Sequence, residues 1–186
     1  YVPMAPSTAW VLVLLSLAVF LHHRAPGHRM GVGFAYGVAG VAALGGLWAV
    51  LRTLFGWGSP FELWLTQSTK PLDDLPVGLM SPFTGGLIMA AAAALALRLP
   101  PQGARAPARR VSGGIALAVL AAGVGVGASY AAGEPWFYGG SIIPMAFWTA
   151  VALALVGLGI FAMPSLAAFD RASDEPSVLP GRITSL

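Results

Sequence analysis

Five long apolar stretches run along the chain, at residues 6–21, 30–51, 82–97, 111–132 and 144–163. Polar, basic or proline-rich segments separate each from the next. None shows the strict alternation of a half-buried strand, and each is long enough to read as a helix. A helix needs about 20 residues to cross the hydrocarbon of a bilayer, with a working range of about 17–25. The second, fourth and fifth stretches meet that length, and the first and third lie near its lower limit. The pattern predicts an all-α fold: a polytopic integral membrane bundle of five transmembrane helices forming one domain over residues 1–186.

Composition supports the membrane reading. The chain is 57% hydrophobic and only 9% charged, against about 25% charged residues in soluble domains. That is too few charges for a water-facing surface, so most of the surface is expected to meet lipid or other membrane chains. There is no cysteine, which removes disulfides, thiolate metal sites and thiol chemistry. The chain opens at Tyr1, which reads as a processed protein or a segment of a longer one, and residues 9–21 lack the charged flank and cleavage site of a signal peptide.

Charge then orients the helices. Arg24, Arg29, Arg98, Arg105, Arg109, Arg110, Arg171 and Arg182 fall on one side of a five-span arrangement, and only Arg52 and Lys70 on the other. The excess of Lys and Arg in cytoplasmic segments places the N-terminus outside and the C-terminus in the cytoplasm. The basic pI therefore reports topology and not nucleic-acid binding.

A short motif recurs at the start of the first, third and fifth stretches: Met4-Ala5-Pro6-Ser7-Thr8-Ala9, Met80-Ser81-Pro82-Phe83-Thr84-Gly85 and Met145-Ala146-Phe147-Trp148-Thr149-Ala150. The frame is Met, a spacer, Pro (Phe in the third copy), a spacer, Thr and a small residue. Pro fits the first helical turn because its missing N–H would lack an intrahelical partner there anyway. Ala5 and Ser81 are then the N-caps, and the Ser81 hydroxyl can accept from a free backbone N–H. The simplest role is to start a membrane helix sharply at the interface. A further expectation is that the three starts converge on an outer-leaflet pocket for an anion, a lipid headgroup or a quinone-like carbonyl, with Met4, Thr8, Met80, Ser81, Thr84, Met145 and Thr149 as its candidate residues. A copper site made by the three methionines is weaker, because methionine is more often a packing residue.

The segment 60–66, Pro60-Phe61-Glu62-Leu63-Trp64-Leu65-Thr66, reads as an interfacial helix. Trp57, Trp64, Trp136 and Tyr138 read as interfacial aromatics covering the three helix starts. Small residues four apart, Gly33 and Gly37, Ala35, Ala39 and Ala43, and Gly123 and Gly127, predict a compact core built on the second and fourth helices. His22, His23 and His28 fall in a basic loop and read as solvated or phosphate-contacting. The five stretches contain no acidic or basic residue, which argues against a proton or ion path. No nucleophile–base set, P-loop, dinucleotide fingerprint or zinc spacing occurs. Neither an enzyme nor a metal or cofactor site is expected, beyond contact with lipid, quinone or pigment.

The motif stretches Val2 to Ala9, Gly78 to Thr84 and Tyr138 to Ala146 resemble the N-terminal multi-pass sensor regions of certain bacterial sensor histidine kinases, which carry repeated Met-Ser/Ala-Pro-x-Thr-Ala motifs before Leu-rich helices. The resemblance covers nearly the whole chain. It departs at Phe147, where Pro is expected, and at Gly85, where Ala is expected, and no kinase, PAS or cyclase output module follows before Leu186. It implies a non-catalytic sensor or input module in signal transduction. The alternative is an accessory or structural subunit of a larger respiratory or photosynthetic membrane complex; a small transporter ranks third. The expected partners are membrane lipids and either other membrane subunits or a second copy of the chain, with no nucleic acid.

Overall fold

A computed structural model describes residues 4–25, 28–58, 78–99, 106–136 and 143–163. Among them lie five helices: α1 (Pro6–Arg24), α2 (Arg29–Phe55), α3 (Pro82–Arg98), α4 (Ala106–Ala131) and α5 (Phe147–Phe161). The candidate interfacial segment 60–66, with Trp64, and Tyr138 lie outside the described residues. Three helices, α1, α2 and α4, are long and apolar enough to cross a membrane, and α3 and α5 are shorter apolar helices.

Helix ends follow local chemistry, and several differ from the sequence expectation. α2 runs past Leu51 to Phe55 and stops at Gly56, whose left-handed φ of 66° suits glycine. Arg52 therefore sits inside a helix and not in a loop. α1 continues through His22 and His23 to Arg24. α4 begins at Ala106, so that Arg109 and Arg110 lie in its first turns; Pro107 is compatible with a first turn, and Ala and Arg favour helix. α5 is the shortest, with 15 residues rather than the comfortable span expected of 144–163. Pro144 precedes its cap, and Met163 precedes a proline that disfavours helical backbone before it.

The helices close into a ring in which each packs on the next and α5 returns to α1, with α3 also touching α5 across the middle. They alternate in direction. α1, α3 and α5 start at one end, here the motif end. At the opposite, basic end, Arg98 at the close of α3 bonds the Ser112 hydroxyl near the start of α4 and the Phe161 and Met163 carbonyls at the close of α5. The Ser112 hydroxyl in turn donates to the Ala94 carbonyl.

The core is centred on α3 and not, as expected, on the second and fourth helices. None of the exposed large apolar side chains lies on α3, whereas α1, α2, α4 and α5 present Trp10, Leu44, Leu54, Val124, Trp148 and Leu155 outward. The reason is side-chain size. The run Ala90–Ala94 lets α3 sit among its neighbours, with Ala91, Ala92 and Ala94 fully enclosed. Of the expected glycines, only Gly123 meets another backbone closely. A Cβ on Gly33, Gly37 or Gly127 would meet open space. A Cβ on Gly85 would fall 2.6 Å from the Gly46 carbonyl oxygen, one on Gly123 2.6 Å from the Ala150 carbonyl oxygen, and one on Gly157 2.8 Å from the Ala116 carbonyl oxygen. Backbones thus touch where α2 crosses α3 and where α4 crosses α5, the close approach that small residues permit in apolar bundles.

Candidate functional site: the junction of three helix starts

The three motif copies adopt one local structure in one register. Ala5, Ser81 and Ala146 are the N-caps, with φ/ψ of −61/136°, −70/148° and −65/146°. The methionine precedes each cap. Pro6, Pro82 and Phe147 open the helices, and Thr8, Thr84 and Thr149 follow two positions later. The first helical bond is the same in each copy: Ala9, Gly85 and Ala150 donate to the carbonyls of Ala5, Ser81 and Ala146 at 3.1, 2.9 and 3.1 Å. Phe147 therefore fills the proline position without changing the backbone.

The starts converge. Thr8, Met80, Ser81, Thr84 and Thr149, with Ala5, Leu79, Pro144 and Ala146, line a small, partly open void of about 10 Å³, room for roughly one water molecule. Met4 and Met145 do not line it. Met145 is buried, and Met4 packs against the core. Ser81 belongs to the expected set and Ala5 is the expected cap of α1, whereas Leu79, Pro144 and Ala146 are not among the residues the sequence singles out for the site. Their signal was their fixed place in the repeat, next to the threonines.

Polar contacts at the void are uneven. Ser81 is a full cap: its hydroxyl accepts from the Thr84 N–H at 3.1 Å and donates to the Thr84 hydroxyl at 2.8 Å. Ala5 and Ala146 have no side chain that can do this. Thr8 and Thr149 are each only 2% exposed, and neither hydroxyl is hydrogen-bonded to another described residue. Every fully enclosed side-chain nitrogen or oxygen among the described residues does have a partner, so these two hydroxyls are left to the void.

Two donors brace the junction from behind. Arg52, 4% exposed near the end of α2, donates to the Met80 carbonyl at 2.8 Å. Tyr130, near the end of α4, donates to the Met145 carbonyl at 2.7 Å. In both cases the methionine's backbone, and not its sulfur, is the group engaged. The pairs α2–α3 and α4–α5 are thus built alike: a donor from the first helix holds the carbonyl before the second, and a glycine contact follows one to two turns away, at Gly46–Gly85 and at Gly123–Ala150.

Among the described residues, neither Trp57 nor Trp136 lines the void. Trp57 stacks on Phe55 with ring centroids 5.1 Å apart, and Trp136 lies against α4 at Gly125. Trp10 and Trp148, 66% and 69% exposed in the first turns of α1 and α5, join them with Trp48, so that the described tryptophans all lie toward the motif end. At the basic end His22 is buried, against the expectation of a solvated side chain, while the exposed His23 ring meets the Gly159 carbonyl at 3.1 Å. A lateral apolar groove of about 300 Å³ between α1 and α5 is lined by Ser16, Val19, Phe20, His23, Leu155 and Val156. Among the described residues no three His, Cys, Asp or Glu side chains gather as a metal set would.

Comparison with known proteins finds no family model, no curated protein and no solved structure that matches this chain.

Proposed function

We propose that this chain is a non-catalytic, multi-pass membrane module of the input or sensor type, embedded in a bacterial inner membrane. It crosses the bilayer five times, with the motif end outside and the basic end in the cytoplasm. The excess of arginine at one end supports that orientation. In this reading a lipid headgroup or other ligand acts on the outer rim of the helix junction, and the response is a shift of α5.

The observation that carries the reading is the position of α5. It begins at the junction shared with α1 and α3 and ends in the Arg98 bonds to Phe161 and Met163. A change among the three starts therefore bears on α5, which, like α1 and α3, leads toward the cytoplasmic side and is tied there to the end of α3 through Arg98. Packed helices respond to such changes by shifts of about 1–2 Å.

The absence of cysteine makes the test direct. Glu134→Cys is expected to react with a membrane-impermeant maleimide in intact cells, and His28→Cys only after lysis; the opposite pattern would reverse the orientation. Spin labels on Met30→Cys and Phe161→Cys would then report the basic end. A Thr84→Val change at the junction is expected to move their distance distribution. An unchanged distribution, in a chain that folds normally, would remove the input reading.

The exposed apolar faces of α1 and α2 favour a second reading, an accessory subunit packed against other chains, lipid or pigment. It predicts stoichiometric co-purification with other membrane proteins in mild detergent.

A further inference from the structure

We propose that the void between the three helix starts is a binding site for a single water molecule, held by the Thr8 and Thr149 hydroxyls and by the Ser81–Thr84 pair. The inference stands on the junction's geometry and holds for either role considered above. The volume, about 10 Å³, matches one water and excludes a headgroup or a quinone ring. A buried water typically needs two to four polar partners, and this wall supplies them. Thr8 and Thr149 are each 98% buried, line the void and make no side-chain hydrogen bond with another described residue. Thr84 accepts from Ser81, which leaves its own hydroxyl proton uncommitted by that bond.

Water fits better than a halide of similar size. The positive ends of α1, α3 and α5 meet here with the Arg52 guanidinium behind them, but the groups that face the void are neutral hydroxyls. Hydroxyls both donate and accept, as a neutral guest requires. The guest would link three helices whose threonines do not bond one another directly. It would also explain why the repeat keeps threonine in all three copies while the cap and the proline vary.

Two measurements test this. A high-resolution structure of the wild-type protein is expected to show one density peak within hydrogen-bonding distance of Thr8 Oγ1, Thr149 Oγ1 and the Ser81–Thr84 pair. An empty void would overturn the proposal, and so would a strong anomalous peak there after bromide exchange. In thermal unfolding, Thr8→Val and Thr149→Val are each expected to lower Tm by about 2–4 °C. The double variant should fall no further than the worse single, because either change costs the shared water its bonds. Thr149→Ser, which keeps the hydroxyl, should recover most of the loss. Additive losses, or no recovery with serine, would count against the water.

Discussion

The Arg52 guanidinium donates a 2.8 Å hydrogen bond to the backbone carbonyl of Met80 from a side chain that is almost wholly buried. The bond ties the end of one helix to the residue before the cap of the next. Tyr130 does the same for Met145 at 2.7 Å. Hydrogen bonds from charged groups contribute about 1.5–3 kcal/mol and neutral ones about 0.5–1.5 kcal/mol. Arg52→Met is therefore expected to destabilise the protein by about 2–3 kcal/mol and Tyr130→Phe by about 1 kcal/mol. Thermal unfolding in one detergent checks the order, and equal losses would mean that the charge adds nothing.

The glycine contacts separate two groups of positions that the sequence does not distinguish. Gly85→Ala and Gly123→Ala push a methyl group onto a backbone carbonyl, and overpacking of this kind costs about 1–3 kcal/mol. Gly33→Ala and Gly37→Ala, where a Cβ meets nothing within 4 Å, are expected to be neutral or slightly stabilising, because alanine is the better helix former by up to about 1 kcal/mol. Unfolding midpoints of the four variants decide between these outcomes.

The cap asymmetry works in both directions. Ser81→Ala removes an acceptor for the Thr84 N–H and is expected to cost about 0.5–2 kcal/mol. Ala146 has nearly the same backbone angles without the hydroxyl. Ala146→Ser is expected to gain up to about 1 kcal/mol by supplying that cap to α5. Hydrogen exchange in the first turn of α5 should slow accordingly, and unchanged exchange would show that the new hydroxyl points elsewhere.

Arg98 spreads its guanidinium over Ser112, Met163 and Phe161. Lysine carries one compact ammonium and cannot reproduce that planar fork. Arg98→Lys and Arg98→Gln are both expected to free the end of α5. The readout is faster hydrogen exchange over Leu158–Met163, with α1 and α2 unaffected. Uniform acceleration throughout would indicate global destabilisation instead.

Much of the junction is legible in the sequence. The repeat placed the caps at Ala5 and Ser81 and put the threonines in the first turn, because proline and small polar residues have narrow positional roles in helices. The choice of core helices was not legible. Gly33 and Gly46 look alike in a sequence, and which of them meets another backbone depends on where the helices cross. Arg52 was misplaced for a similar reason: its charge suggested a loop, while its burial depends on a carbonyl 28 residues away. The length of α5 was overestimated because the apolar run continues past both helix ends, into Pro144 and Met163.

The like construction of α2–α3 and α4–α5 bears on how such a chain would enter a bilayer. With 17 and 15 residues, α3 and α5 extend only about 25 and 22 Å, short of a hydrocarbon layer about 30 Å thick. Each follows a long apolar helix that already carries its glycine contact and a donor for its first carbonyl. In a five-span arrangement each short helix would then depend on the long helix before it, so that the natural unit of insertion would be the pair.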